Sequence, residues 1–172
     1  LDHSGIPTMA AIPAAREALQ ELGLYGEISL IASGGIRSGA DVAKALALGA
    51  DACAMGIATL IALNCNREIP ESDFEKEVGV PAGHCNKCHT GRCPVGIATQ
   101  DPELEKRLHL GEAGERVANF LNACTMEAAL LARSLGKGNI HSLEPEDLAA
   151  LTLESSMMAR VPLAGTDRIF GT

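Results

Sequence analysis

Two short apolar segments, each ending in glycine and each followed by a segment with helical periodicity, most constrain the fold of this chain. Residues 28–32 run into Ser-Gly-Gly, and residues 51–55 run into Gly56. This order of strand, helix, strand and helix, with nearly continuous apolar strands, predicts parallel strands buried on both faces of an α/β fold. Helices are expected at residues 13–22, 41–48 and 57–63.

The composition argues against nucleic-acid and membrane functions. The 172 residues include 14 Lys and Arg against 22 Asp and Glu, which gives a formal net charge of −8, and only 2% are aromatic. Nucleic-acid binding needs clustered positive charge, and single-stranded binding usually adds aromatic stacking platforms. Residues 52–63 form the longest apolar, uncharged stretch, which is too short for the ~20 residues of a membrane helix. We therefore expect neither a nucleic acid nor a membrane as partner.

The second half of the sequence predicts a loop followed by helices. Residues 66–83 are acidic and turn-forming, and Asp101-Pro102-Glu103 is typical of a helix start. A long amphipathic helix is expected at residues 112–135 and a last helix at 146–159, with an irregular tail after it. The predicted apolar face of the long helix consists of Val117, Phe120, Leu121, Cys124, Ala128 and Leu131.

The glycine segments are candidates for binding an anion. Small residues in Ser33-Gly34-Gly35-Ile36-Arg37-Ser38-Gly39 allow backbone N–H groups to approach an anion, just before a helix whose N-terminal dipole favours negative charge. Arg37 adds a positive group that can pair with phosphate. Gly56 and Ile57 repeat the arrangement one strand later. The pattern is not a G-x-G-x-x-G, and the alternative is that the glycines only make tight turns.

The cysteine spacing indicates a metal or cluster site. Cys85, Cys88 and Cys93 lie within nine residues. Two thiolates separated by two residues can reach one centre from a single turn, and a proline directly after Cys93 is typical of ferredoxin-type segments. In an acidic chain with no signal-peptide pattern at its start, such crowding fits a metal site in a reducing cytoplasm better than a disulfide framework. We therefore expect a cytoplasmic protein.

The ligand set can be completed in two ways. Cys65, on the other side of the acidic segment, could supply a fourth thiolate for an iron–sulfur cluster. Alternatively, His84 or His89 could complete a tetrahedral zinc site. The first alternative indicates an oxidoreductase, and the second indicates a zinc-stabilised interaction module without catalytic activity. Unliganded cysteines fit this short and mostly polar segment poorly.

The strand and glycine segment resembles a known fold. Residues 30–51, followed by Ala54-Met55-Gly56, look like the C-terminal part of an FMN-binding (β/α)8 TIM barrel. The resemblance implies strands 7 and 8 with their helices, followed by an iron–sulfur loop and a helical tail. Because such a barrel needs ~200 residues or more, this chain is expected to hold only part of it. The implied flavin-phosphate residues are Ser33, Gly34, Gly35, Arg37, Gly56 and Ile57.

The cysteine segment carries the more specific resemblance. Residues 88–104 closely resemble the iron–sulfur segment of the synthase domain in the glutamate synthase large-subunit family. By position, Cys88 and Cys93 match the second and third ligands of that family, and Cys65 matches the first. Here 22 residues separate Cys65 from Cys88, and this insertion brings its own Cys85 close to Cys88. The resemblance therefore implies a 3Fe–4S cluster or a 4Fe–4S cluster.

The resemblance covers essentially the whole chain and implies three parts. Residues 1–64 are the C-terminal part of the barrel, residues 65–100 the insertion loop and iron–sulfur segment, and residues 101–172 a helical extension packed on the barrel. The implied activity is reductive formation of glutamate, in which glutamine-derived ammonia adds to 2-oxoglutarate, reduced FMN delivers hydride and the cluster supplies electrons. The implied partners are electron-donor and glutaminase subunits or domains.

Two further expectations follow from the resemblance. No residue of this segment can be assigned as catalytic, and the segment is expected to be inactive on its own. The length of its loop and residues 161–166 also resemble the synthase-like subunit of N-methylglutamate synthase. That branch implies methylamine and glutamate as alternative substrates.

Overall fold

The computed structural model describes residues 5–65 and 85–170, so the predicted acidic segment at residues 66–83 lies outside the described part. In the described part, no helix is both long enough and apolar enough to cross a membrane. The α-helices and strands are α1 (Thr8–Glu21), β1 (Ile31–Ser33), α2 (Gly39–Ala47), β2 (Ala52–Ala54), α3 (Ile57–Ala62), α4 (Pro102–Glu105), α5 (Leu110–Ser134) and α6 (Leu153–Ala159). Short 3-10 helices lie at Cys88–Thr90, Ile140–Ser142 and Pro145–Asp147.

The chain divides into two compact units. The first consists of residues 1–55 and 123–172, and contains the sheet. The second consists of residues 56–122. The domain boundaries after residues 64 and 100 that the sequence predicts stay predictions.

The sheet of the first unit consists of two parallel strands joined through α2. Ile31 pairs with Ala52, and Ser33 pairs with Ala54. The expected order of strand, helix and strand in an α/β fold is therefore confirmed. The expected burial of both faces is not: Ala32 is buried against the helices, whereas Ile31 beside it is 61% exposed among the described residues.

Small residues bring α2 and α5 close together in the first unit. Ala43 and Ala47 on α2 pack against Ala128 and Ala132 on α5. Gly39, at the start of α2, is buried, and a Cβ there would lie 2.8 Å from the backbone nitrogen of Ala128. The two helices therefore meet almost backbone to backbone.

The predicted helix starts are partly confirmed. The Asp101 side chain accepts hydrogen bonds from the backbone of Glu103 and Leu104, so α4 begins as expected. Helix α1 begins earlier than predicted, at Thr8, and Pro13 lies inside it. The first turn is already closed before Pro13, because the N–H groups of Ala10 and Ala11 both donate to the Pro7 carbonyl.

The predicted apolar face of the long helix is partly wrong. Cys124 and Ala128 are buried as expected, and Ala132 continues the same line at a spacing of four residues. Leu121 is 43% exposed among the described residues. The buried line follows the small residues because the neighbouring helix approaches too closely for large side chains.

The predicted last helix at residues 146–159 is also wrong. Ala150 lies in a β-bridge to Leu163, with Ala150 N–H donating to the Pro162 carbonyl at 2.8 Å. Thr152 then caps α6 by accepting a hydrogen bond from the Ser155 N–H. The segment after the helix is thus paired through its backbone, and its pairing interrupts the helix that the sequence periodicity predicts.

A charge cluster after α5 gives a pH-dependent prediction. The Glu144 N–H donates to the Asp147 carboxylate at 2.8 Å, and Lys137 Nζ lies 3.1 Å from the same oxygen. These two interactions, the backbone one first, hold the pKa of Asp147 below its usual value. Because the folded pKa is below the unfolded one, the stabilisation is complete above about pH 4 and is lost as the pH falls through the folded value.

Replacing Asp147 with asparagine is therefore expected to lower the urea midpoint of unfolding at neutral pH and to have little effect at acidic pH. The measurement compares the midpoints of Asp147→Asn and the unchanged protein from about pH 7 down to about pH 2.5. Asp167→Asn is the control, because Asp167 is exposed in the tail. A difference that stays constant across this range would contradict the prediction.

Candidate functional site

The Ser33-to-Gly39 segment forms the loop between β1 and α2. Gly34 and Gly35 have φ angles of 115° and 72°, in the left-handed region that favours glycine. The Thr8 hydroxyl donates to the Gly34 carbonyl at 3.0 Å and holds the loop against α1. The glycines are thus needed for the turn itself, which is the alternative that the sequence left open, and the turn also exposes backbone groups.

The hydrogen bonds of this loop show which of its N–H groups remain to donate to an anion. The Gly39 N–H donates to the Glu127 carboxylate at 2.7 Å, and the Asp41 N–H donates to Ser38 Oγ at 3.3 Å. These two N–H groups at the start of α2 are therefore already used inside the protein, and the anion-binding role of the segment stays a prediction. Among the described residues, the N–H groups at positions 34–36 donate no hydrogen bond. These N–H groups are therefore donors that remain for a ligand.

Arg37 is part of the loop and is held by an acidic neighbour, Asp41. Its guanidinium Nε lies 3.5 Å from Asp41 Oδ2, and its backbone N–H donates to the same oxygen at 3.0 Å. The Arg37 side chain is 80% exposed, so it can meet a ligand from solvent. The Asp41 carboxylate holds both the backbone and the guanidinium of Arg37 and partly offsets the positive charge of the guanidinium.

A cavity of about 460 Å³ adjoins the loop within the first unit. Gly34, Gly35 and Ile36 form one wall, and Asp41 and Lys44 are the charged residues of its lining. The remaining wall comes from α1, α2 and residues 148–161, and is mostly apolar. Of the predicted flavin-phosphate residues, Gly34 and Gly35 line this cavity, whereas Ser33 and Arg37 do not.

The second glycine segment belongs to the second unit. Gly56 precedes α3, and its carbonyl accepts a hydrogen bond from the Leu60 N–H at 3.1 Å. A Cβ at Gly56 would meet nothing within 4 Å among the described residues, and Ile57 is 76% exposed. Packing within the described residues therefore does not explain the glycine, and the binding role of Gly56 and Ile57 stays a prediction.

The four predicted cysteine ligands all belong to the second unit. Burial raises the pKa of the Cys65 thiol, and the negative charges of the other three thiolates raise it further. One charge shifts the pKa of another group only when the two are near, so Cys65 lies near the other three cysteines despite its distance in sequence. All are free thiols. The four residues are Cys65, Cys85, Cys88 and Cys93.

The loop around Cys93 is held by its own hydrogen bonds. Cys93 is 5% exposed and packs with Val95 and Cys85, whereas Cys88 is exposed on its 3-10 helix. A β-bridge between Arg92 and Thr99 closes the loop on both sides of Cys93. The four thiols thus range from buried at Cys93 to exposed at Cys88, and Cys93 and Cys85 share one small core.

Thiolates can bind either a zinc ion or an iron–sulfur cluster. In residues 5–65 and 85–170, no three Cys, His, Asp or Glu side chains lie close enough to hold one metal ion. A tetrahedral zinc ion with Zn–S bonds of about 2.3 Å needs its sulfurs about 3.8 Å apart. Each thiolate of an iron–sulfur cluster binds a different iron, which separates the sulfurs more widely. His89 is exposed and His84 lies outside the described residues, so the zinc ligand set stays a prediction.

Sequence reasoning missed one residue near the cysteines. The guanidinium of Arg107 donates from Nη1 to the Pro94 carbonyl at 2.8 Å. The signal in the sequence that could have predicted such a donor is Pro94, because its carbonyl, buried in a loop, needs a hydrogen-bond donor from elsewhere in the chain. The two remaining cysteines, Cys53 and Cys124, lie in the first unit, where burial raises the pKa of each thiol.

Comparisons with known proteins agree with the resemblance seen in the sequence. A family profile described as "Conserved region in glutamate synthase" matches residues 1–70 and 76–138. A protein of Rhizobium meliloti named "Glutamate synthase large subunit-like protein" is 54% identical over 96% of this chain, which covers 37% of that protein. "Archaeal glutamate synthase [NADPH]" of Methanocaldococcus jannaschii is 46% identical over 83% of this chain, which covers 24% of it.

A third relative is also named a glutamate synthase and matches a similar share of this chain. "Archaeal-type glutamate synthase [NADPH]" of Thermotoga neapolitana is 40% identical over 83% of this chain, which covers 25% of that protein. The chain therefore spans between a quarter and somewhat more than a third of the length of these relatives. The profile match extends through the strands, the glycine loops and the cysteine segment, and on this evidence the chain belongs to the glutamate synthase family.

Proposed function

We propose that this chain is the part of a glutamate synthase-type oxidoreductase that helps to bind FMN and that binds an iron–sulfur cluster. The observation that carries the proposal is that Cys93 packs with Cys85 and that Cys65, distant in sequence, belongs to the same unit and is coupled electrostatically to the three other thiols. Thiolates are the ligands that iron–sulfur clusters take. The names of the relatives and the family membership support an oxidoreductase that makes glutamate.

The flavin would be held by the glycine loops. The N–H groups at positions 34–36 can donate to a phosphate, and the exposed Arg37 can pair with it. Gly56 and Ile57 are the further residues that the family resemblance implies. When bound, FMN supplies hydride transfer and the cluster supplies one-electron transfer. What this chain supplies is a rigid loop that holds the phosphate end and positions the cofactor.

The proposed architecture is a (β/α)8 barrel to which this chain contributes strands 7 and 8. Parallel strands have their carboxyl ends at one edge of a sheet, and both glycine segments follow those ends. The apolar Ile31 is exposed on the sheet face that a barrel would enclose. Because the chain spans only part of its relatives' length, the other strands would come from the rest of the protein.

We propose 2-oxoglutarate and glutamine-derived ammonia as substrates, with electron-donor and glutaminase subunits or domains as partners. A second candidate is the N-methylglutamate synthase branch, which would use methylamine and glutamate. It is favoured by residues 161–166 and by the length of the loop before the cysteines, which resemble that branch. No catalytic acid, base or nucleophile is assigned within this chain.

The proposal is tested on the purified full-length protein. A brown-yellow protein that releases FMN on denaturation and contains iron supports it. Glutamate formation is then followed with ammonia or glutamine, and N-methylglutamate formation with methylamine. A colourless protein with stoichiometric zinc would exclude both oxidoreductase candidates and support the interaction module.

The Arg37 assignment makes a separate prediction. Arg37→Ala is expected to weaken FMN binding about threefold to tenfold, because the pairing of an exposed arginine with phosphate is partly screened. Iron content and the visible absorption of the cluster should stay unchanged. FMN titration into the flavin-free protein measures the affinity, with Arg133→Ala on the exposed surface of α5 as control. Equal FMN affinity in the two variants would remove Arg37 from the site.

A further inference from the structure

The segment after Cys93 turns sharply and is held by the chain that follows α4. The Gly96 N–H donates to the Cys93 carbonyl at 3.2 Å and closes a turn over residues 93–96. Arg107 Nη1 donates to the Pro94 carbonyl at 2.8 Å inside that turn. The backbone that carries the Cys93 thiol is therefore fixed from within by one bond and from outside by another.

The position of Pro94 makes the outside bond important. Pro94 is among the largest fully buried side chains of the described residues, so its carbonyl has little access to water. A buried carbonyl without a donor is costly, and a charged donor gives a stronger hydrogen bond than a neutral one. Removing the guanidinium would leave this carbonyl to seek another partner by moving the turn.

A second contact fixes the same turn at its other end. Gly96 has a φ of 82°, and a Cβ there would lie 2.5 Å from the Leu104 carbonyl oxygen and 3.1 Å from the Leu108 nitrogen. The turn thus lies directly against the helical backbone around Leu104, which is itself buried. With one end held by this contact, the bond from Arg107 is the side-chain restraint on the Cys93 end, beside the Gly96 N–H bond and the Arg92–Thr99 bridge.

We propose that Arg107 is a positioning residue for Cys93. It acts through the Pro94 carbonyl and not on the sulfur, and it keeps the most buried of the four thiols at its place. That Cys93 is an iron ligand rests on the proposed function, whereas the fixing of the Cys93 turn does not. Arg107 is not among the site residues that the sequence predicts, and its part in the cluster would be to order one ligand before iron arrives.

The neighbouring lysine provides a matched control. Lys106 Nζ pairs with Glu103 at 2.6 Å, and both side chains are exposed. Lys106→Ala removes one positive charge from the adjacent position without touching the Pro94 carbonyl. A general effect of charge near the cysteines would therefore appear in both variants, and an effect of position would appear only at Arg107.

The first test measures thiol alkylation in the full-length protein after removal of iron, with each labelled cysteine identified by mass spectrometry. Cys93 in Arg107→Ala is expected to react about tenfold faster than in the unchanged protein, as loss of a hydrogen bond from a charged donor implies. In Lys106→Ala its rate should stay within about twofold, because exposed ion pairs contribute little. Arg107→Lys, which can donate only from a compact ammonium, should lie between.

Cys124 is the internal reference, because it is buried in the other unit. If Cys124 also reacts faster in Arg107→Ala, that variant has lost its fold, and Arg107→Lys decides the matter. A faster Cys93 with an unchanged Cys124 in Arg107→Lys supports the proposal. Rates equal to those of the unchanged protein at Cys93 overturn it.

The second test uses the same proteins before iron removal. The visible absorption should fade about tenfold faster under a chelator in Arg107→Ala and at the normal rate in Lys106→Ala. Equal fading in all three proteins, together with equal alkylation, overturns the proposal. If no preparation contains iron, the proposed function fails, while the alkylation rates still decide whether Arg107 positions Cys93.

Discussion

Replacing Cys93 with serine is expected to lower the iron content of the full-length protein more than tenfold, on the order of the largest losses seen when a metal site is disturbed. A serine hydroxyl is a hard, protonated donor at neutral pH, whereas iron–sulfur clusters require soft thiolates. Cys93 is also the most buried of the four thiols, so solvent cannot easily supply a replacement ligand. Iron and visible absorption per polypeptide measure the result, and FMN content should be retained.

Cys53→Ser is the matched control for this experiment. Cys53 lies on β2 in the first unit and packs against the apolar core there, so its replacement should leave iron in place. Full iron content in Cys93→Ser would contradict the cluster assignment. Replacing Cys65 and Cys85 one at a time then distinguishes the cluster type, because a 3Fe–4S cluster needs only one of them and a 4Fe–4S cluster needs both.

The Gly39→Ala variant is expected to lose stability by about 3 kcal/mol, at the upper end of what overpacking a core costs. The added Cβ would lie 2.7 Å from the Glu127 Cβ and still closer to the Cys124 carbonyl oxygen. Backbone atoms of a helix cannot give way as a flexible side chain can. Relief of the clash would also lengthen the 2.7 Å bond from the Gly39 N–H to the Glu127 carboxylate. Urea unfolding measures the change.

Gly114→Ala gives the opposite expectation and serves as control. Gly114 lies inside α5, and a Cβ there would meet nothing within 4 Å among the described residues. An alanine in the middle of a helix should stabilise by roughly 0.5–1 kcal/mol relative to glycine. If the two variants lost equal stability, the close approach of α2 and α5 at Gly39 would not be the cause.

The parts of the fold that follow local rules could be predicted from the sequence. The glycines at positions 34, 35 and 56 separate the strands from the helices, and Asp101-Pro102 marks a helix start, because turn and capping preferences act over a few residues. The interrupted helix at Ala150 could not be predicted in this way. Its cause is a backbone pairing with Leu163, thirteen residues later in the sequence, which periodicity does not register.

In the candidate site, too, contacts between nearby residues could be predicted from the sequence, and contacts between distant residues could not. The spacing of Cys85, Cys88 and Cys93 indicates their proximity directly, because neighbouring residues cannot move far apart. Cys65 was only one of two ways to complete the ligand set until the family resemblance selected it, and its electrostatic coupling to the other thiols is a property of the folded chain. The hydrogen bond from the Gly39 N–H to the Glu127 carboxylate joins residues 88 positions apart. The sequence of the glycine loop therefore does not predict it.

The pairing of Ala150 with Leu163 also determines how short this chain can be made. The Arg160 guanidinium contacts the Glu17 carboxylate on α1, and the Ser156 hydroxyl donates to the Val161 carbonyl at 2.7 Å. Val161 belongs to the same apolar cluster as Ile12. The segment after α6, which the sequence predicts to be an irregular tail, therefore completes the interior of the first unit. Expression fragments should extend past Arg168, whose carbonyl accepts from the Leu163 N–H, since an earlier end would open that interior to water.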